Sequence, residues 1–365
     1  MSWLRARPTR VAEDLRIAVL ADPHLPVPPT LYGGIERVIY LLVEELRRRG
    51  HDVVLFAHPE SRVSCELVPY PRASSNSRAD LARNAAVIAR RLLSRPVDVI
   101  HSFGRMAAMT PLAFTGARKF MSYQRPIAPA SIRRARRIFG ERLEFTACGE
   151  HMTAEVRHIG RWHVIPNAVP TDTFRFAPVV GDHAPVAFLG RFDAEKGAHL
   201  AIAAARRAGR RILVAGNVGT QPDYFERELK PLLDLEGVTY IGPVDDARKN
   251  EMLGQCAAFL MPITWDEPFG IVMAEALACG TPVIGFRRGS VPEVVRHGTT
   301  GFVVDDLDGM VTAIGRVDVL DRSACRRDAE TRFSPDAVVS AYEALYRDAV
   351  RHSTRAEAVP LSTTR

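Results

Sequence analysis

The chain has 365 residues and a mass of 40.3 kDa, is 47% hydrophobic and 25% charged, and so predicts a soluble protein of two domains, neither disordered nor membrane-spanning. Its five cysteines show no close pairing and fit neither a disulfide framework nor a zinc cage; no apolar segment follows the arginines of Met1–Arg10 to make a secretory signal, so a reducing cytoplasm is expected. The net charge of +7 is uneven: residues 1–170 hold 26 Lys and Arg against 15 Asp and Glu, whereas 171–365 hold 23 against 27, so the front half either meets something anionic or is simply an arginine-biased surface.

In chain order, strands are predicted at Arg16–Ala21, Asp52–Ala57, Asp98–Ser102, Lys119–Tyr123, Glu144–Cys148 and His163–Pro166. Several are unbroken Val/Ile/Leu runs, the mark of parallel strands buried on both faces. Between them, Gly34–Arg49 carries an apolar stripe through Val38, Leu41, Leu42 and Leu46 and stops at Gly50; Ser77–Leu93 is a second helix, ended by Pro96. Residues 167–184 lose the rhythm and form a linker. The alternation restarts with strands at Val186–Leu189, Ile212–Ala215, Thr239–Ile241, Ala258–Met261, Pro282–Phe286 and Gly301–Val304. Helices fill the gaps at His199–Ala208, Asp223–Leu235, Ala247–Leu253 and Ile271–Ala278. Two βαβ series imply an α/β protein of two doubly wound, Rossmann-like sheets with a cleft between them, residues 1–170 forming the first domain and 171–335 the second. Residues 336–352 form a trailing helix, centred on Asp336–Val350, and 353–365 a frayed, disordered tail.

In open α/β sheets, ligands lie beyond the carboxyl ends of the strands. After the first strand, Tyr32-Gly33-Gly34-Ile35-Glu36 opens a helix, where paired glycines either bring backbone N–H groups to an anion or make only a flexible turn. The pair lacks the Gly-x-Gly-x-x-Gly spacing and no acid ends the second strand, which disfavours a nicotinamide dehydrogenase. After the first rear strand, Leu189–Gly197 delivers Arg191 and Lys196. A fork of donors and a point charge suit a diphosphate; a solvated Arg–Glu–Lys turn is the plain alternative. The most informative string is Trp265–Pro282, in which an acidic loop leads to Gly270 and a short helix that stops at Gly280. Glu267 precedes this helix and Glu275 lies a little over one turn into it, so two carboxylates flank free N–H groups that favour phosphate.

That string, EPFGIVMAEALACGTPV with seven residues between its glutamates, resembles the retaining GT-B-fold glycosyltransferases of family 4, and the resemblance extends over Arg16–Val350. It implies GT-B architecture, with the trailing helix crossing back to the N-terminal domain. It further implies transfer of a hexosyl group from a nucleotide-diphosphate sugar to an acceptor hydroxyl with retention of configuration. Under this resemblance Glu267 contacts the donor sugar and Glu275 the ribose, Arg191 and Lys196 hold the diphosphate, and the Gly33-Gly34 loop approaches the phosphates or the acceptor. The amides of Gly270, Ile271 and Val272 lie beside phosphate and sugar, with Phe269 in the same donor-binding stretch. Two places depart from the family. Where many members carry a histidine over the reacting sugar, Met121–Pro126 offers Tyr123 or Gln124, and Gln124 can hydrogen-bond but cannot act as a base. The usual hinge Pro-Asn-Gly-Val-Asp is Pro166-Asn167-Ala168-Val169-Pro170. His101 matches a family position near the cleft, or is a satisfied histidine at a strand end.

Asp306-Leu307-Asp308 is an acidic pair of a metal-binding kind, yet it precedes a helical segment, where capping is expected; no metal and no cofactor is predicted. Ser131–Leu143 is a basic amphipathic stretch that either rests on an anionic membrane surface or packs as a surface helix. Cys279 fits a buried small-residue role at a helix end. In this reading Arg191, Lys196 and the helix at Gly270 take up the charge on the departing diphosphate, in place of a metal ion. The donor base, the sugar and the acceptor stay open, an anionic or lipid-linked acceptor being compatible with the basic front half. The rivals are a nucleotide-sugar epimerase or hydrolase on the same fold, and a basic nucleic-acid-binding protein; the latter lacks any recognised binding module, so no nucleic acid is expected.

Overall fold

The structure, a computed structural model, describes residues 14–29, 33–73 and 77–357. Tyr32 of the glycine loop and the end of the chain after Glu357 lie outside the described residues. The front half forms β1 Arg16–Leu20, α1 Gly34–Arg48, β2 Asp52–Ala57, β3 Glu66–Pro69, α2 Arg78–Ser94, β4 Val99–Ser102, β5 Arg118–Tyr123, α3 Pro129–Phe139, β6 Leu143–Ala147 and β7 Trp162–Val164. These strands make one parallel sheet in the order β3-β2-β1-β4-β5-β6-β7. The rear half forms β8 Val186–Leu189, α4 Ala198–Arg207, β9 Ile212–Ala215, α5 Pro222–Tyr224, α6 Lys230–Leu233, β10 Val238–Tyr240, α7 Asp246–Gln255 and β11 Ala258–Met261. It continues through α8 Ile271–Ala278, β12 Val283–Phe286, α9 Val291–Val294, β13 Gly301–Val304, α10 Leu307–Ile314, α11 Arg322–Phe333 and α12 Pro335–Glu357. Its parallel sheet runs β10-β9-β8-β11-β12-β13. In each sheet the order reverses at the first strand, the arrangement that opens a crevice at the carboxyl ends.

Every predicted strand is present, and the front sheet gains an edge strand. Glu66–Pro69 is short, half-exposed and proline-ended, and pairs only with β2, so it carries none of the apolar continuity that marks a central strand. The helix predicted over Asp223–Leu235 is α5 and α6 joined by a π turn at Phe225–Leu229. The basic stretch Ser131–Leu143 is not one helix: α3 ends at Phe139, and Leu143 begins β6. Ile132, Ala135 and Phe139 are buried in the front core, so the segment offers arginines, not an apolar face, to its surroundings. Among the described residues no helix is long and apolar enough to cross a membrane. Asp306 caps α10, its Oδ1 accepting from Gly309 N–H at 2.8 Å, and Cys279 is fully buried. The linker is packed against the rear domain: Val169 and Phe174 are buried, and Val169 N–H donates to the Phe333 carbonyl.

α12 runs to Glu357, so residues 353–357, predicted as disordered tail, continue the helix. It lies on the front domain, where Val338, Val339, Tyr342, Leu345, Tyr346 and Ala349 share a core with Val38, Ile39 and Leu42 of α1. Polar ties fix the return. Arg49, at the end of α1, donates to Glu45, Ser340, Asp336 and Glu343. His101 is fully buried in β4, with Nδ1 2.5 Å from the Tyr346 hydroxyl and Nε2 2.7 Å from Ser122 Oγ. Burial drops its pKa to about 3, so the ring is neutral at physiological pH, and His101 joins α12 to the sheet instead of facing the cleft.

Burial pushes the Glu343 carboxyl up, but hydrogen bonds from Arg347 and Arg49 outweigh it and hold it at about 2, against an ordinary 4.5. A carboxylate held below its unfolded value adds stability that is fully present above pH 4.5 and is lost as the pH falls through about 2. Glu343→Gln is therefore expected to lower the melting temperature at neutral pH, with the gap to wild type narrowing as the pH drops from 4.5 towards 2. Thermal scans of both proteins across that window check this.

Candidate active site in the cleft

The loop after β8 is shaped by Gly197, whose φ of +77° favours glycine and whose added Cβ would lie 2.1 Å from the Pro262 carbonyl oxygen. Only a bare backbone fits against the end of β11, and Thr264 N–H donates to the Glu195 carbonyl at 2.9 Å to complete the contact. This approach brings Lys196 to Glu267. Its Nζ lies 2.5 Å from Glu267 Oε2 and 4.5 Å from the centre of the Trp265 ring, and the Trp265 indole N–H donates to the same oxygen at 3.1 Å. Arg191 is anchored differently, 3.0 Å from Oδ2 of the fully buried Asp193, whose Oδ1 accepts from the Thr220 amide at 2.6 Å. The two cations share one loop but rest on different carboxylates.

Gly270, at φ +69°, caps the start of α8. Met273–Ala278 are all buried, so the helix is anchored by its body, and no acid occupies its first turn. Those first N–H groups keep their attraction for an anion. Glu275 is buried within this wall and pairs with Lys249 at 2.5 Å. Lys249 also lies 3.2 Å from Asp246, which is bonded to Arg37 of α1, so alternating charges link the front helix to Glu275. Burial would raise the Asp246 carboxyl, but Lys249 and Arg37 outweigh it and hold it below its ordinary 3.8. The Phe269 side chain, expected among the donor-binding groups, is buried edge-on against Phe333, and Ser290 Oγ donates to its carbonyl at 2.8 Å. Ile271 and Val272 are half-buried at the head of α8.

The glycine pair meets this helix directly. A Cβ on Gly34 would lie 3.2 Å from Ile271 Cδ1, so α1 and α8 begin at the same point of the cleft. They are not equivalent. Glu36, in the first turn of α1, is buried, and burial pushes its carboxyl above the ordinary 4.5. The first turn of α1 thus carries an acid and that of α8 carries none, with Gly33-Gly34 beside the start of α8. Gln124, just past β5, faces Asn167 in a reciprocal amide pair: Gln124 Nε2 donates to Asn167 Oδ1 at 2.9 Å and Asn167 Nδ2 donates to Gln124 Oε1 at 2.8 Å. The residue expected over the reacting sugar is thus braced by the hinge.

Residues 171–314 match the family model Glycosyl transferases group 1, and residues 32–173 match Glycosyltransferase Family 4. The chain is a GT4-like glycosyltransferase of GT-B fold. N-acetyl-alpha-D-glucosaminyl L-malate synthase of Bacillus anthracis is 33% identical over 144 residues, 37% of either chain, so the match spans little more than a third of that relative. Glycogen synthase of Mycobacterium tuberculosis is 26% identical over 360 residues, covering 83% of this chain and 86% of its own. The solved structure of Anabaena HepE in complex with UDP superposes with a TM-score of 0.73 at 18% identity, over 92% of this chain and 100% of that one.

In this glycosyltransferase, sequence reading missed Lys249, Asp193, Trp265 and Glu36 as members of the site. Lys249 carried a signal: the chain has four lysines against 45 arginines, and two of the four pair with the signature glutamates. Gly197→Ala forces a left-handed backbone and a clash with Pro262; it is expected to cost about 1–3 kcal/mol and to shift the denaturant midpoint accordingly, which equilibrium unfolding measures.

Proposed function

We propose that this glycosyltransferase moves a hexosyl group from a nucleotide-diphosphate sugar to an acceptor hydroxyl, with retention and without a metal ion. The observation that carries the reading is the convergence of Lys196, Glu267 and the open N-terminus of α8 at one point of the cleft, with Glu275 a little over a turn deeper. The diphosphate lies against the first amides of α8 and the ammonium of Lys196, with the Arg191 fork on the same loop. Glu275, its charge already balanced by Lys249, accepts from the ribose hydroxyls, and Glu267 from the sugar. The presence of UDP in HepE supports a nucleotide donor.

As the bond from the anomeric carbon to phosphate breaks, its electron pair stays on the diphosphate, and fixed cations and helix amides stabilise that charge without reorganising. The acceptor oxygen bonds to the same carbon from the face the phosphate leaves, and its proton passes to the departing phosphate oxygen. Gln124, held by Asn167, offers hydrogen bonds to the sugar from the front side. Lys196→Ala is expected to lower kcat by about 100-fold or more, and wild-type activity is expected to persist in EDTA. Turnover assays against UDP-, GDP-, ADP- and dTDP-sugars check both; unchanged turnover in Lys196→Ala would remove the assigned role.

A further inference from the structure

Glu293, in α9, follows shortly after the donor signature in sequence, and its carboxylate receives three hydrogen bonds from the front domain. Oε2 accepts from the Glu150 amide at 2.7 Å, and Oε1 accepts from the His151 amide at 2.8 Å and from His151 Nδ1–H at 2.7 Å. Burial alone would raise this carboxyl, but the bonds from His151 and Glu150 prevail and hold it below its ordinary 4.5. The receiving loop, just past β6, also touches the donor loop. Cys148 Sγ lies 3.5 Å from the Pro268 carbonyl, and a Cβ on Gly149 would come within 3.0 Å of that same oxygen.

The segment that carries Glu293 grips the donor loop as well. Ser290 N–H donates to the Glu267 carbonyl at 3.0 Å and Ser290 Oγ to the Phe269 carbonyl. Gly289, at φ +49°, lies so close that a Cβ would fall 2.4 Å from Glu267 N. Arg332 fastens this segment from behind, donating to the carbonyls of Glu293 and Val294. Three backbones therefore meet around Pro268: the front loop 148–151, the donor loop 266–270 and the segment 289–293.

We propose that Glu293 is a positioning residue of the transfer site, which ties the front-domain loop 148–151 to the donor loop so that the donor seated by Glu267 faces the front domain in register. This rests on the proposed nucleotide-sugar reading. Glu293 touches no reacting atom in this scheme; it acts through Glu150, His151 and the shared contact with Pro268.

The test is amide hydrogen exchange of the 148–153 segment, with UDP as the probe, on the full-length wild type, Glu293→Gln and His151→Ala. UDP is expected to slow exchange of this segment about 10-fold or more in wild type. In both variants that slowing is expected to fall to within about two-fold, while the UDP Kd stays within about two-fold of wild type. Undiminished slowing in the variants, or loss of UDP binding in Glu293→Gln, would overturn the coupling role. Wild type that binds none of UDP, GDP, ADP and dTDP would overturn the nucleotide reading beneath it, a result separable from the first. If Glu293→Gln does not fold, His151→Ala decides, since it removes one donor from outside the rear core.

Discussion

If the N-terminus of α8 is to take an anion as proposed, the carboxylates beside it need their own charge balanced, or they compete for the same amides and repel it. Glu267 and Glu275 meet that condition through Lys196 and Lys249, both at 2.5 Å. In the proposed reading they then keep lone pairs for hydroxyl groups while the amides of α8 serve phosphate. Unbalanced, Glu275 would be a buried naked charge, which costs several kcal/mol in a protein interior. The rest of the cleft follows from this pairing: Gly197 lets the Lys196 loop lie on Pro262, Gly270 turns the donor loop into the helix, and Asp246 and Arg37 extend the Lys249 pair to the front domain.

The abundance of arginine has a structural explanation at many positions. Arg322 donates to the carbonyls of Ala177, Cys256 and Gly254, Arg326 to those of Phe174 and Ala278, and Arg332 to those of Glu293 and Val294. These side chains close helix ends and the linker, where acceptors would otherwise be left unpaired. Arg49 does the same work through carboxylates at the return of α12. At these positions the positive charge is internal stitching. The arginines of α3 that do face outward sit on a helix whose apolar side is already used.

The strands and the signature helix were legible because burial on both faces of a parallel sheet demands unbroken apolar runs, and Val186–Leu189 or Ala258–Met261 have no other use. The edge strand Glu66–Pro69 was not, since an edge needs no such run. Glu267, Glu275, Arg191 and Lys196 were legible as a constellation, but their partners were not. Lys249 and Asn167 reach the site through tertiary contacts at sequence separations that no local spacing encodes, Asp193 sits two residues from Arg191 but pairs with it only through the fold of the loop, and His101 was ambiguous until Tyr346, 245 residues later, closed over it. Phe269 shows the reverse case: a residue inside the signature whose side chain serves the core.

The proposed site requires that Lys196 and the start of α8 hold a diphosphate-sized anion. Calorimetric titration of UDP and UMP in EDTA, on wild type and on Lys196→Ala, tests it most directly. Wild type is predicted to prefer UDP by about 10-fold or more, and Lys196→Ala to lose most of that preference while still binding UMP. Equal affinity for the two nucleotides in wild type, or an undiminished preference without Lys196, would contradict it.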